Sequence, residues 1–269
     1  MKKLLSFLSM IFMVFTTFAQ ICPDDRHPHA IDLGLPSGTK WACCNVGADN
    51  PEGYGGYYAW GETEEKEAYN EVSYQYCTGE NPNDYGWYEH TQYQDIGSDI
   101  AGTQYDVAHV IWGDSWVMPT KDQQMELLNY STCQWITKNG VNGRTFTGLN
   151  GGTIFLPAAG IYWFDEISNA GINGEYWSST QGASSSHNAC GMDAGSGGKI
   201  RFEGIRDIGR SVRPVFSETN SINLPELSSD ISCQAIYNLY GIKVADTIAD
   251  MNTLPPGIYI VKGKKIVIK

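Results

Sequence analysis

The sequence predicts an α+β fold, and three observations support that prediction. Residues 120–130 show the pattern of a capped amphipathic helix, and a second helical pattern covers residues 104–112. Elsewhere short apolar runs stand between turn signals, which is typical of strands joined by tight loops. Eight Trp, sixteen Tyr and nine Phe in 269 residues provide enough apolar bulk for a sizeable core.

The helix at residues 120–130 is predicted from its N-terminal turn. Thr120 can accept a hydrogen bond as N-cap, and Gln123 follows three residues later, as in a capping box. Leu127 and Leu128 then contribute to an apolar side. Strands are predicted from apolar runs bounded by turns, at residues 153–159, 175–179, 199–202 and 211–216. Large apolar residues within such runs should form the core: Trp41, Trp60, Trp116, Leu156 and Trp177.

Residues 1–19 have the organisation of a secretory signal peptide. Lys2 and Lys3 precede an uncharged apolar run over residues 4–18, and Ala19 supplies a small residue at the expected cleavage site. The alternative, a membrane anchor, needs about 20 apolar residues, and this run is shorter. The sequence therefore predicts a protein that is secreted or held at the outer surface of a bacterial cell.

The rest of the chain changes composition near residue 217. Residues 20–216 are rich in Gly and aromatic residues, 217–230 are polar and predict a linker, and 231–269 predict a β-rich tail. The seven cysteines are an odd number, so their pairing stays open, and no CxxC pair indicates zinc. The net charge of −12 argues against nucleic acid or anionic lipid as a partner. A membrane is then relevant only to export or surface attachment.

Several ordered blocks resemble one protein family. They include IDLGLPSGTKWA at 31–42, YAWGET at 58–63, IFLPAAG at 154–160, YWSS at 176–179 and SVRPV at 211–215. Over nearly all of residues 29–216 the chain resembles the Fibrobacter succinogenes major paralogous domain. The resemblance implies a C-type-lectin-like fold, akin to that of the formylglycine-generating enzyme. YNLYG at 237–241 and GIYIV at 257–261 make the tail similar to a type IX secretion sorting domain, which implies a small all-β domain.

No motif predicts catalysis. The chain has no GxSxG or HExxH motif. An enzyme like the formylglycine-generating enzyme would need two reactive cysteines in the late loops, and Cys190 is alone there. Glu80, Asn81 and Asp84 offer oxygen ligands of the kind that Ca²⁺ prefers, although an acidic turn is the preferred interpretation. No cofactor is therefore predicted, with calcium as the alternative.

The resemblance also implies where a ligand would bind. In variable lectin-like proteins the contacts come from loops after the Trp-Ser-Ser strand, which correspond here to residues 181–209. Polar side chains in this stretch, and two across the same face, are the candidate ligand-binding residues: His187, Asn188, Arg206, Asp207, Trp163 and Asp165. The aromatic-rich residues 69–93 are the second candidate site, unless their rings fill a loop-rich core.

These observations predict an exported ligand-binding module without catalytic activity. Its ligand would be a glycan or a surface protein, because both are bound by exposed Tyr and Trp side chains. Two alternatives remain at this point. One is an enzyme of the formylglycine-generating type, which a cleft containing clustered His, Cys or carboxylate groups would favour. The other is a structural subunit of a surface assembly.

Overall fold

The computed structural model describes residues 29–78, 92–113, 115–198, 200–217, 236–238, 243–245, 254–261 and 264–268. The predicted signal peptide, the linker beyond residue 217 and the candidate calcium segment at 80–84 lie outside these residues. The chain divides into two compact units, Met1–Thr219 and Asn220–Lys269.

The prediction of an α+β fold is wrong, because the structure is mostly β. Within the described ranges the chain forms sixteen strands in five antiparallel sheets, against two helices, α1 (Val107–Trp112) and α2 (Lys121–Tyr130). Helix α1 is shorter than its sequence pattern, because the Asp106 side chain accepts hydrogen bonds from the N–H groups of Ala108 and His109 and begins the helix there.

Helix α2 has the predicted N-terminus. Thr120 accepts from the Gln123 N–H, and the Gln123 side chain accepts from the Thr120 N–H, which completes the capping box. Gln124, Leu127 and Leu128 are buried on its inner face. Buried Gln124 donates to the Trp177 carbonyl at 3.0 Å, so the helix is fixed against a neighbouring strand.

One sheet brings the two ends of the first unit together. It contains β1 (Ala30–Asp32), β2 (Lys40–Ala42), β3 (Trp116–Val117) and β12 (Val215–Phe216), in the order β1-β2-β12-β3. A second sheet is a meander of β4 (Thr132–Lys138), β5 (Val141–Thr147) and β6 (Thr153–Pro157). Its first turn is Asn139–Gly140, with φ values of 50° and 83°, as a tight hairpin between β4 and β5 requires.

The remaining strands of the first unit carry the candidate ligand-binding residues. A short hairpin pairs β7 (Ile161–Trp163) with β8 (Glu166–Ser168). A three-stranded sheet contains β9 (Glu175–Gln181), β10 (Asn188–Asp193) and β11 (Ile200–Ile205), with β10 in the centre. The side chains predicted to form the core are all buried: Trp41, Trp60, Trp116, Leu156 and Trp177.

The second unit contains one sheet. Its strands are β13 (Ile236–Asn238), β14 (Lys243–Ala245), β15 (Gly257–Val261) and β16 (Lys264–Ile268), in the order β14-β13-β15-β16. Ile236 and Tyr259 are buried there. Among the residues described for either unit, no helix has the length and apolar character needed to cross a membrane.

Candidate ligand-binding groove

An open polar groove of about 730 Å³ lies on the first unit. Four separated segments of the chain line it, so it is a product of the fold rather than of one loop. Carboxylates, hydroxyls, amides and two tyrosine rings form its surface: Glu62, Thr63, Glu64, Glu65, Lys66, Ser73, Gln75, Tyr76, Gln94, Gln104 and Tyr105.

One wall of the groove is held by an ion pair between Glu62 and Lys66. The Glu62 carboxylate is buried, and it accepts from Lys66 Nζ and from the Gln75 N–H, each at 2.7 Å. Lys66 Nζ also donates to the Ser73 carbonyl at 2.9 Å. This ammonium lies 5.3 Å from the ring centre of Tyr69. The wall is therefore fixed before any ligand arrives, whereas Glu64 and Glu65 remain exposed.

Two tyrosine rings form the other side. Tyr76 and Tyr105 meet edge to face, with ring centres 5.4 Å apart, and Tyr76 also meets Tyr74 edge to face at 5.6 Å. Burial raises the pKa of Tyr76, with smaller contributions in the same direction from Tyr105 and Glu62. The Tyr76 hydroxyl therefore stays protonated near neutral pH and can both donate and accept hydrogen bonds.

Arg206 lies directly behind this side of the groove. Its side chain is 1% exposed and stacks on Trp60, Tyr74 and Tyr93, with the guanidinium 4.6 to 5.6 Å from the ring centres. Arg206 Nε donates to the Tyr74 hydroxyl at 2.9 Å, and Nη1 donates to the carbonyls of Gln94 and Ser186. Its Nη2 has no hydrogen-bond partner within the described ranges.

Asp207 is also inside the molecule, at 2% exposure, and accepts from the Tyr93 hydroxyl at 3.2 Å. Burial raises the pKa of Asp207 to about 6, with a further increase from Glu71. Arg206 and Asp207, two of the candidate ligand-binding residues, are therefore buried. Three aromatic rings from distant segments enclose Arg206, and the local polar sequence gives no sign of them.

His187 and Asn188 are half-buried at the start of β10. The His187 ring lies 4.8 Å from the ring of Tyr93, so His187 and Arg206 share one aromatic neighbour. Asn188 donates to the Ser184 hydroxyl, which itself donates to the Glu203 carboxylate. Neither His187 nor Asn188 lines the groove.

Trp163 and Asp165 lie at the exposed tip of the β7–β8 hairpin and also do not line the groove. The six predicted residues therefore do not form one face. Buried Arg206 and Asp207 and half-buried His187 contact Tyr93, whereas Trp163 and Asp165 are at a separate tip.

The groove residues were missed, except for those in the aromatic-rich candidate segment. Within that segment Tyr69, Tyr74 and Tyr93 are buried, which agrees with the core-filling interpretation, while Tyr76 faces the groove. Residues 79–91 lie outside the described ranges. A signal that could have identified the opposite wall is the acidic run Glu62–Lys66, which directly follows an apolar aromatic block.

The structure bears on two chemical alternatives, a metal site and a reactive cysteine. The described residues contain no group of three or more His, Cys, Asp or Glu side chains placed to hold a metal ion. Burial raises the pKa of the Cys190 thiol, which is the opposite of the shift that activates a cysteine nucleophile.

Comparison of the chain with protein families, with curated proteins and with solved structures gives no match. The resemblance to the major paralogous domain family therefore depends on the sequence blocks alone.

Proposed function

We propose that the chain is an exported ligand-binding module that binds a carbohydrate in the groove between Glu62 and Tyr105. The observation that carries this proposal is the composition of the groove. Hydroxyl, amide and carboxylate groups lie together with two tyrosine rings on a wall that the protein already holds in place.

Sugars present a ring of hydroxyl groups that need both donors and acceptors. Gln75, Gln94 and Gln104 can supply both through their amides, and the carboxylates of Glu64 and Glu65 supply further acceptors. The C–H face of a sugar is weakly positive and is attracted to the electron-rich face of an aromatic ring. Tyr76 and Tyr105 provide rings of this kind at the groove edge.

The buried carboxylate of the groove, Glu62, is not placed for acid-base catalysis. Acid-base catalysis needs a carboxyl group that is available to a reacting atom. Both oxygens of Glu62 are already engaged, one by the Gln75 N–H and the other by Lys66. Its contacts therefore support a structural role for Glu62 in shaping the wall.

The proposal is tested by titrating the chain from residue 20 to 269 with neutral cello-, manno-, xylo- and chito-oligosaccharides. For a sugar that binds, we expect Tyr76→Ala to weaken affinity about tenfold, the loss of one stacking and hydrogen-bonding side chain. Tyr130→Ala is the matched control, because Tyr130 is exposed on α2 and does not line the groove. Unchanged affinity in folded Tyr76→Ala, or binding of a surface protein instead of any glycan, contradicts the proposal.

A further inference from the structure

The tip of the β7–β8 hairpin presents two aromatic rings to solvent. Trp163 is 47% exposed and Phe164 is 45% exposed, and their ring centres lie 5.2 Å apart. Asp165 and Glu166 follow directly and are also exposed. The tip therefore combines two neighbouring rings with two carboxylates.

An aromatic residue occupies a strained backbone position at this tip. Phe164 has a φ of 53°, in the left-handed region that glycine adopts far more readily than a bulky residue. Phe164 and Asp165 form the two-residue loop between Trp163 and Glu166, and a tight hairpin of this kind requires a positive φ in its loop. Glycine would meet that requirement without strain, so the sequence places an exposed ring where it costs free energy.

The tip is also held in one position. Phe164 and Tyr69 exchange two backbone hydrogen bonds, at 2.7 and 3.0 Å. Beneath them, the Tyr162 ring packs on the rings of Tyr69 and Tyr57, at 4.9 and 5.7 Å. A ligand would therefore meet a preformed surface, with little ordering cost on the protein side.

The loop that holds the tip is the loop that forms one groove wall. The Tyr69 hydroxyl accepts from the Lys66 N–H at 3.2 Å, and Lys66 pairs with Glu62 in the groove. The Tyr162 hydroxyl at the base of the hairpin donates to the Glu67 carbonyl at 3.5 Å. Groove and tip thus both contact residues 62–69.

We propose that this tip is a second subsite for the carbohydrate that the groove binds, so that the ligand is an extended, uncharged glycan chain. The inference rests on the proposed function. One sugar ring stacks on Trp163 and Phe164, and Asp165 and Glu166 accept from its hydroxyls. Acidic glycans are disfavoured, because Glu64, Glu65, Asp165 and Glu166 are exposed carboxylates on a chain of net charge −12. The same charges oppose docking on an anionic lipid surface.

The test compares short and long ligands of one series. Disaccharides and octasaccharides of the cello, manno, xylo and chito series are titrated against the 20–269 chain, with oligogalacturonate as the acidic counterpart. We expect Trp163→Ala to weaken octasaccharide binding about threefold to tenfold, the size of one aromatic contact, and to leave disaccharide binding unchanged. Tyr76→Ala should weaken both. Leu149→Ala, at an exposed apolar residue outside the tip and the groove, is the control and should change neither.

Phe164→Gly gives a second readout, because it tests the backbone strain and the ring together. It removes both the ring and the strain, so we expect a higher midpoint of thermal unfolding together with weaker octasaccharide binding. A lower midpoint would overturn the strain argument. Octasaccharide affinity unchanged in Trp163→Ala, while Tyr76→Ala still weakens it, overturns the second subsite and leaves the groove proposal standing. Loss of effect in Tyr76→Ala, or tighter binding of oligogalacturonate, overturns the inference together with its basis.

Discussion

Arg206 and Arg213 are both buried arginines, but their surroundings differ. Arg213 donates from all three of its nitrogens: Nε to Asn45 Oδ1 at 2.8 Å, Nη1 to the carbonyls of Ala42 and Cys43, and Nη2 to the Phe155 carbonyl at 2.9 Å. Arg206 is surrounded mainly by aromatic rings and has one nitrogen without a partner within the described ranges.

The difference in their partners indicates different roles for the two arginines. The four acceptors of Arg213 come from the segment around β2 and from β6, so this guanidinium joins separate parts of the core through backbone atoms. Arg206 instead contacts Tyr74 and the Gln94 carbonyl, which lie behind or within the groove lining. We infer that Arg213 stabilises the fold and that Arg206 supports the groove.

Arg213→Ala should have the largest effect on stability. It leaves three carbonyls and the Asn45 side chain without donors in the interior, which should lower the free energy of unfolding by about 4–5 kcal/mol. Urea denaturation measures the change. Arg201→Ala, at an exposed arginine in β11, is the control and should stay within about 0.5 kcal/mol of the original chain. Similar losses of unfolding free energy in Arg213→Ala and Arg201→Ala would show that Arg213 does not link separate parts of the core.

Arg206→Ala should destabilise less, by about 2–3 kcal/mol, because it loses fewer hydrogen bonds and part of its contact is with rings. It should also weaken glycan binding in the groove, since Tyr74 and Gln94 lose their support. The combination separates it from Arg213→Ala, whose folded fraction should bind normally. A folded Arg206→Ala variant with unchanged glycan affinity would show that Arg206 does not support the groove.

Sequence reasoning succeeded where the determinants are close together along the chain. Helix α2 was predicted because its cap and its capping partner are three residues apart. The Asn-Gly pair at 139–140 is a turn signal, but the strands β4 and β5 that flank it were not predicted. Every side chain of β4 is exposed or only half-buried, so the apolar pattern is weak.

The groove and the burial of Arg206 could not be predicted in the same way. The rings around Arg206 belong to Trp60, Tyr74 and Tyr93, all more than 100 positions earlier in the chain. Locally, residues 203–210 are polar and contain two glycines, which is typical of a loop. Only the folded chain brings the four groove segments and these rings together.

Asp207→Asn should give the smallest change, in the opposite direction. The carboxylate faces Glu71, Lys66 and Arg210 as well as the Tyr93 hydroxyl, and burial, the main cause, raises its pKa to about 6 from the usual 3.8. The folded protein therefore binds more protons than the unfolded chain between about pH 4 and 6, and the stability contributed by Asp207 falls as the pH rises through that window. Above it the charged form costs on the order of 2–3 kcal/mol.

Asparagine keeps the shape and a hydrogen bond to Tyr93 without the charge. The Asp207→Asn variant should therefore be more stable than the original chain by about 2 kcal/mol at pH 8, and the difference should close below about pH 4. Urea denaturation of both proteins at each pH unit from 4 to 8 measures this difference in stability. Asp106 and Asp193 also have raised pKa values, but both proteins contain them, so their contributions cancel in the comparison. A stability difference between the two proteins that does not change with pH would contradict the raised pKa of Asp207. It would mean that the contacts near Arg206 compensate the buried charge there as fully as the hydrogen bonds of Arg213 compensate its own charge.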